Sequence, residues 1–277
     1  MTGKIGIIGA GSIAESLISG LISGELYPPR EICVINRKND ERLHYIRETY
    51  GVHTTRSYKE IFAYSDVIII AVKPHDVLGL LMTIRDYVCE DHIIISVAAG
   101  INTSFIENNI GKKVQVVRVM PNTSCQVKES ATAISPGRFA DQRALTIVQK
   151  IFSTVGKVFI VEEEALDGVT ALSGSGPAYV YLMMEALMEA GVNSGLDRRL
   201  SEQLAIQTVF GAAKMALETG EDVRYLRKKV TSPGGTTMAA VETLKKMGFA
   251  RSIVEAAKNA AQRSREMLAE NLKAVKN

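Results

Sequence analysis

Lys4-Ile-Gly-Ile-Ile8 runs directly into Gly9-Ala-Gly11-Ser-Ile-Ala14, and the reading of this stretch decides the fold. The β-branched run reads as a strand, and the apolar-periodic residues after Ala14 read as a helix. This puts a G-x-G-x-x-A pattern in a strand–loop–helix setting. Gly9 permits the tight turn, Gly11 lets backbone approach a pyrophosphate, and Ala14 keeps helix and sheet close. The helix N-terminus then faces the phosphates. Gly9, Ala10, Gly11, Ser12, Ile13 and Ala14 are therefore predicted to bind a dinucleotide.

Further strand candidates follow at Ile32–Ile35, Val67–Val72, Ile93–Val97, Val114–Val119, Ala131–Ile134 and Val158–Val161. The runs Val67–Val72 and Ile93–Val97 are nearly all apolar, as in strands covered on both faces. Helical patterns lie between most of the runs, which predicts a doubly wound parallel α/β domain over residues 1–162. After Val161 the strand signals stop, and Glu162-Glu163-Glu164 opens an all-α region over 163–277. Within Ala178–Ala190 the only charged residues are Glu185 and Glu189. A helix apolar nearly all round must be covered on several sides, so an oligomer interface is expected here. The alternative is a central helix wrapped by its own neighbours.

Composition sets outer limits. The 277 residues are 46% hydrophobic and 23% charged, which excludes disorder and collagen-like or mucin-like sequence. A net charge of +3 with no basic run gives no reason to expect nucleic acid. Cys33, Cys89 and Cys125 have no metal-ligand spacing and read as small hydrophobes in a reducing compartment; no metal is expected. The N-terminal apolar stretch is broken by glycines and Glu15, unlike a signal peptide, and no run approaches the roughly 20 apolar residues of a membrane span. A soluble, cytoplasmic protein is the expectation.

The second strand ends in Asn36-Arg37-Lys38. An NAD site usually places a carboxylate there; two cations favour a ribose phosphate, hence NADPH, with NADH the alternative. Ala71, Val72, Lys73 and Pro74, then Ala98, Ala99 and Gly100, then Met120, Pro121 and Asn122 each follow a strand, where open α/β sheets bind ligands. Two glycine-rich loops lie in the helical half, Leu172-Ser-Gly-Ser175-Gly-Pro177-Ala-Tyr179 and Thr231-Ser232-Pro-Gly234-Gly235-Thr236-Thr237. The second combines hydroxyls, free backbone and a helix start, which suits a carboxylate, although the same composition also makes an ordinary capped helix start. In β-hydroxyacid dehydrogenases a lysine follows the glycine-rich loop of the helical half, whereas no lysine lies between Gly174 and Lys214 here. An imine is basic enough to be protonated in solution, so a hydroxyl such as that of Thr237 suffices to orient it. The missing acid points to C=N reduction.

Taken together, Gly9–Ala14, Ala71–Pro74, Ser96–Gly100, Arg118–Asn122, Leu172–Tyr179 and Ser232–Thr237 resemble the pyrroline-5-carboxylate reductase family, in order and over nearly the whole chain. The resemblance implies a Rossmann-like N-terminal domain followed by an all-α substrate and dimerisation domain, and NAD(P)H-dependent reduction of pyrroline-5-carboxylate to L-proline. Carried over by position, Gly9–Ala14 and Asn36 hold the dinucleotide. Ala71–Pro74, Ala98–Gly100 and Met120–Asn122 line the nicotinamide side, and the 232–237 loop, with Ser175, grips the substrate. Thr237 bonds the ring nitrogen and Glu163 faces it. The resemblance also implies homodimers through the helical domain, often assembled into decamers. Two positions depart from it. Tyr58 stands where many members carry Asn near the adenosine, and Lys229 stands where some carry Asn near the substrate loop. Another NADP-dependent imine or β-hydroxyacid dehydrogenase, or a non-catalytic NADPH sensor, is the alternative.

Overall fold

The computed structural model describes residues 3–274. The chain packs into two compact units, one running to Ser175 and rejoined from Asn259 onward, the other spanning Gly176–Lys258.

The first unit contains β1 (Ile5–Ile8), α1 (Ser12–Ser23), β2 (Ile32–Ile35), α2 (Asp40–Tyr50), β3 (His53–Thr55), α3 (Tyr58–Tyr64), β4 (Val67–Ile70) and α4 (Pro74–Ile84). It continues with β5 (Ile93–Ser96), α5 (Thr103–Ile110), β6 (Gln115–Met120), β7 (Ser130–Pro136), α6 (Gln142–Ser153), β8 (Gly156–Ile160) and the single turn α7 (Leu166–Val169). The eight strands form one sheet in the order β3-β2-β1-β4-β5-β6-β7-β8. All neighbours are parallel except β6 and β7. The sheet is doubly wound, with the chain reversing its direction of travel between β1 and β4.

Near-continuous apolar strands make sense on this sheet because both faces are covered. Ile5 and Ile7 of β1, Ile69 of β4 and Ile95 of β5 join a core with Leu17 and Leu21 of α1, Ile46 of α2 and Ile151 of α6. Ile8, Ile68, Ile70 and Ile94 point the other way, into a second core with Ile61 of α3, Leu81 of α4 and Phe105 of α5. The period-2 alternation of a strand thus feeds two cores at once. β3 has no counterpart among the strand candidates read from sequence. It is three residues long, His-Thr-Thr, on the sheet edge, with no apolar run to announce it.

The second unit is helical: α8 (Gly176–Asn193), α9 (Arg198–Thr219), α10 (Val223–Lys229), α11 (Thr236–Lys246) and the start of α12 (Phe249–Ala274). α8 and α9 cross closely at Gly191, where an added Cβ would lie 2.7 Å from Ser201 Oγ. Among residues 176–258 only Ser201 and Ala205 are buried. The later part of α12 belongs to the sheet unit, where Ser264 Oγ donates to Asp167 Oδ1 of α7 at 2.7 Å. No described helix is long and apolar enough to cross a membrane.

Ile69 lies fully buried in the middle of the sheet. Ile69→Ala should lower the unfolding free energy by about 2–5 kcal/mol, as read from the midpoint of chemical denaturation.

Candidate functional site

Parallel pairing puts Ile8 beside Ile70, Ile70 beside Ser96 and Ser96 beside Arg118. The segments after these residues therefore leave the sheet along one edge, and this brings Gly9–Ala14, Ala71–Pro74, Ala98–Gly100 and Met120–Asn122 to the same rim. Gly9 is fixed by its surroundings. Its φ is +110°, its N–H donates to Ile35 O at 2.8 Å, and a Cβ would lie 2.3 Å from Ala71 O. Gly11 differs, because apart from its own chain neighbours nothing lies within 4 Å of where its Cβ would be. Nothing inside the protein demands a glycine at Gly11, so the open space suits a group brought by a ligand.

A cavity of about 280 Å³ on this rim is lined by Gly9, Asn36, Arg37, Lys38, Tyr58 and Val72, together with His75, Asp76 and Gly79 of α4. Asn36 Oδ1 accepts the Lys38 N–H at 3.1 Å, which bends the chain so that the cations follow directly on the strand. Tyr58 is half-buried; burial pushes its phenol pKa up, against the charge and hydrogen bond of Arg37, and Asp76 adds to the rise. His75, Asp76 and Gly79 were not read as site residues from sequence. The signal was there in Pro74, a helix-starting proline right after the strand at which the sheet order reverses.

Ala98 and Pro121 are buried, and Ala99 and Met120 half-buried, so small apolar groups dominate the rest of the rim. Asn122 ties the rim to the first glycine-rich loop. Its Oδ1 accepts from Ser124 N at 3.1 Å, and its Nδ2 donates to Ser173 O at 3.0 Å. Gly174 sits against Met120, whose Cε lies 2.8 Å from a Cβ built there. The segment Thr170–Gly174 is a π-helical turn closed by Ser175 N donating to Thr170 O at 2.8 Å. Such turns are frequent at functional sites.

The Glu163 carboxylate accepts from Thr103 N at 2.8 Å, Thr103 Oγ1 at 2.7 Å and Arg118 Nη1 at 3.4 Å. Arg118 is 4% exposed, so its charge needs this partner. Thr103 was not singled out from sequence, and Arg118 entered only as the first residue of a family motif, with no role of its own.

Helix starts differ in how their first amides are satisfied. Side chains of Asn39, Ser57, Asn102, Asp141, Asp197 and Asp222 cap α2, α3, α5, α6, α9 and α10. By contrast α1, α4 and α11 begin after Gly11, Lys73 and Gly235 with no side-chain cap. In the helical unit, Gly234 has φ +70° and Gly235 N donates to Ser232 O at 3.1 Å, which folds the loop back before α11. Thr237 is half-buried, while Ser232 and Thr236 are exposed. Lys229 Nζ is turned to Glu221, 3.3 Å from both carboxylate oxygens. Among the described residues no group of three His, Cys, Asp or Glu side chains is arranged to hold a metal.

Residues 163–267 match the family model for pyrroline-5-carboxylate reductase dimerisation, and residues 4–100 match that for NADP oxidoreductase, coenzyme F420-dependent. The chain is 41% identical to pyrroline-5-carboxylate reductase 2 of Bacillus subtilis over 264 residues, 95% of each chain. It is similar to the solved pyrroline-5-carboxylate reductase of Coxiella burnetii, with a TM-score of 0.91 and 39% identity over 96% of this chain and 99% of that one. The Plasmodium falciparum pyrroline carboxylate reductase, solved with NADP bound, superposes with a TM-score of 0.85 at 29% identity over 96% and 98% of the two chains.

Gly11→Ser separates helix capping from ligand binding. Serine is a good N-cap, so the ligand-free protein should melt no lower than wild type by calorimetry. The added hydroxymethyl group should nonetheless weaken NADPH binding about 10-fold or more in a fluorescence titration, by filling the open space and drawing in the α1 amides.

Proposed function

The chain belongs to the pyrroline-5-carboxylate reductase family, and we propose how its residues divide the reduction of 1-pyrroline-5-carboxylate to L-proline with NADPH. The observation that carries this division is that α1, α4 and α11 each begin without a side-chain cap directly after a predicted ligand loop.

Gly9–Ala14 present the α1 amides to the pyrophosphate, whose charge the helix N-terminus favours. Arg37 and Lys38 meet the ribose phosphate, and Asn36 shapes the turn that carries them. Tyr58, in the same cavity, offers a ring face for the adenine. Ala71–Pro74, Ala98–Gly100 and Met120–Asn122 flank the nicotinamide, and their small apolar side chains keep water from its face. NADPH, when bound, supplies a hydride for the imine carbon.

On the substrate side, Ser232, Thr236 and Thr237 offer hydroxyls, and Gly234 and Gly235 free the backbone so that the α11 amides converge on the substrate carboxylate. Thr237 Oγ1 orients the ring nitrogen. Because a protonated imine already carries its proton, the site needs alignment more than a strong acid. Ser175 and Glu163 complete the substrate contacts. The Thr103 and Arg118 bonds leave one lone pair of Glu163 Oε2 unfilled within its own unit.

The protein works as an oligomer through its helical residues, and we infer a homodimer that assembles further into a decamer. The apolar side chains of α8 and α9 that stand exposed on a single chain, Tyr181, Leu182 and Phe210 among them, support this reading. The free state of Cys33, Cys89 and Cys125 supports a reducing, cytoplasmic setting.

NADPH absorbance should fall when pyrroline-5-carboxylate is added, and absence of substrate-dependent turnover would overturn the assignment. Thr237→Ala should reduce kcat by about 10- to 100-fold while leaving the NADPH dissociation constant nearly unchanged. Full activity in that variant would remove Thr237 from the reaction.

A further inference from the structure

Arg42 lies in the first turn of α2, its own N–H held by Asn39 Oδ1 at 2.8 Å, and its guanidinium reaches across to the dinucleotide loop. Nε donates to the Ala10 carbonyl at 2.7 Å, while Nη2 makes a short bond to Glu15 Oε2 on α1. Glu15 Oε1 in turn accepts the hydroxyl protons of Tyr45 and Tyr50, each at 3.1 Å. Three side chains of α2 thus converge on one carboxylate of α1. Burial raises the Glu15 pKa, but the hydrogen bonds from Arg42 and Tyr50, with the Arg42 charge, outweigh it and hold the group below its usual value.

The Ala10 carbonyl has a consequence one atom away. Ala10 C=O and Gly11 N–H belong to the same trans peptide and point in opposite directions. Whatever holds Ala10 O therefore sets the direction of Gly11 N–H, which has no partner among the described residues.

We propose that Arg42, anchored by Glu15, is a positioning residue for the cofactor, fixing the Ala10–Gly11 peptide plane so that the loop amides are aimed before the dinucleotide arrives. The inference rests on reading Gly9–Ala14 as the dinucleotide loop. Arginine suits the task because its planar fork serves a carbonyl and a carboxylate at once, which the single ammonium of lysine does not reproduce.

Charge attraction alone makes the opposite forecast. If Arg42 acted only as a cation near the phosphates, Arg42→Lys would bind NADPH as wild type does, and Glu15→Gln, which removes a nearby negative charge, would bind it more tightly. Positioning requires both variants to weaken NADPH binding, in Kd and KM alike, by about 10-fold, the size of one lost charge-assisted hydrogen bond. It also requires kcat at saturating NADPH to change by less than about twofold. Tyr50→Phe, a milder change should the others fail to fold, should weaken binding about two- to threefold. Wild-type affinity in Arg42→Lys, tighter binding in Glu15→Gln, or no change in Tyr50→Phe would overturn the proposal. Failure of the wild-type protein itself to bind NADPH would overturn the loop reading and this inference with it.

Discussion

The in-register parallel pairing of four central strands is the constraint on which the remainder of the sheet unit depends. Ile8, Ile70, Ser96 and Arg118 form a row across β1, β4, β5 and β6. Parallel strands share a direction, so every loop that leaves this row emerges on the same side of the sheet. The reversal between β1 and β4 then opens a crevice between loops that would otherwise diverge to opposite faces. One close approach tunes it. Gly9 passes so near Ala71 O that no side chain fits, and the two loops are held together beside the rim cavity.

Bare helix starts are the second layer of this design. A forgone side-chain cap costs about 1 kcal/mol, and the protein takes up that stabilisation at α2, α5, α6 and α9. It forgoes it at α1, α4 and α11. Amides left without internal partners are useful only if their direction is fixed, and for α1 that direction is set from outside the helix. The Arg42–Glu15 pair and its two tyrosines hold the loop from α2, on the flank of the groove. Arg42 also neutralises a carboxylate that would otherwise stand unscreened in the first turn of α1.

Much of this was legible in the sequence, for identifiable reasons. Runs such as Val67–Ile70 and Ile93–Ser96 are apolar on both faces, and the first glycine loop sits between a strand and a helix, so the doubly wound sheet and its ligand rim could be read directly. β3 escaped because His-Thr-Thr on an edge needs no hydrophobic face. Thr103 and Arg118 escaped because their importance lies in a contact with Glu163 across 60 and 45 positions, and no local pattern encodes such a meeting. Glu15 was visible only as a charge interrupting an apolar stretch. Its partners lie 27 to 35 residues away on α2, so what reads as an interruption in one dimension is an anchor in three. Composition alone left the second glycine loop divided between a capped helix start and an anion site; the absence of a side-chain cap at Gly235 weighs toward the anion.

The helical unit follows a different logic. A stretch of more than 80 residues normally stabilises itself by burying apolar side chains, yet residues 176–258 bury only Ser201 and Ala205. Its apolar surface is not missing but uncovered: Tyr181 is 57% exposed, Leu182 67% and Phe210 55%. At roughly 25 cal/mol per Å² of apolar area, covering such a surface is worth several kcal/mol per chain, which further copies of the same chain can supply. The 231–237 loop and the α11 start are carried by this unit, so the helices that aim them gain their rigidity from the cover. Under the proposed assignment, association covers the same helices that carry the 231–237 loop. On that assignment the oligomer is part of the site's preorganisation rather than an addition to a finished monomer.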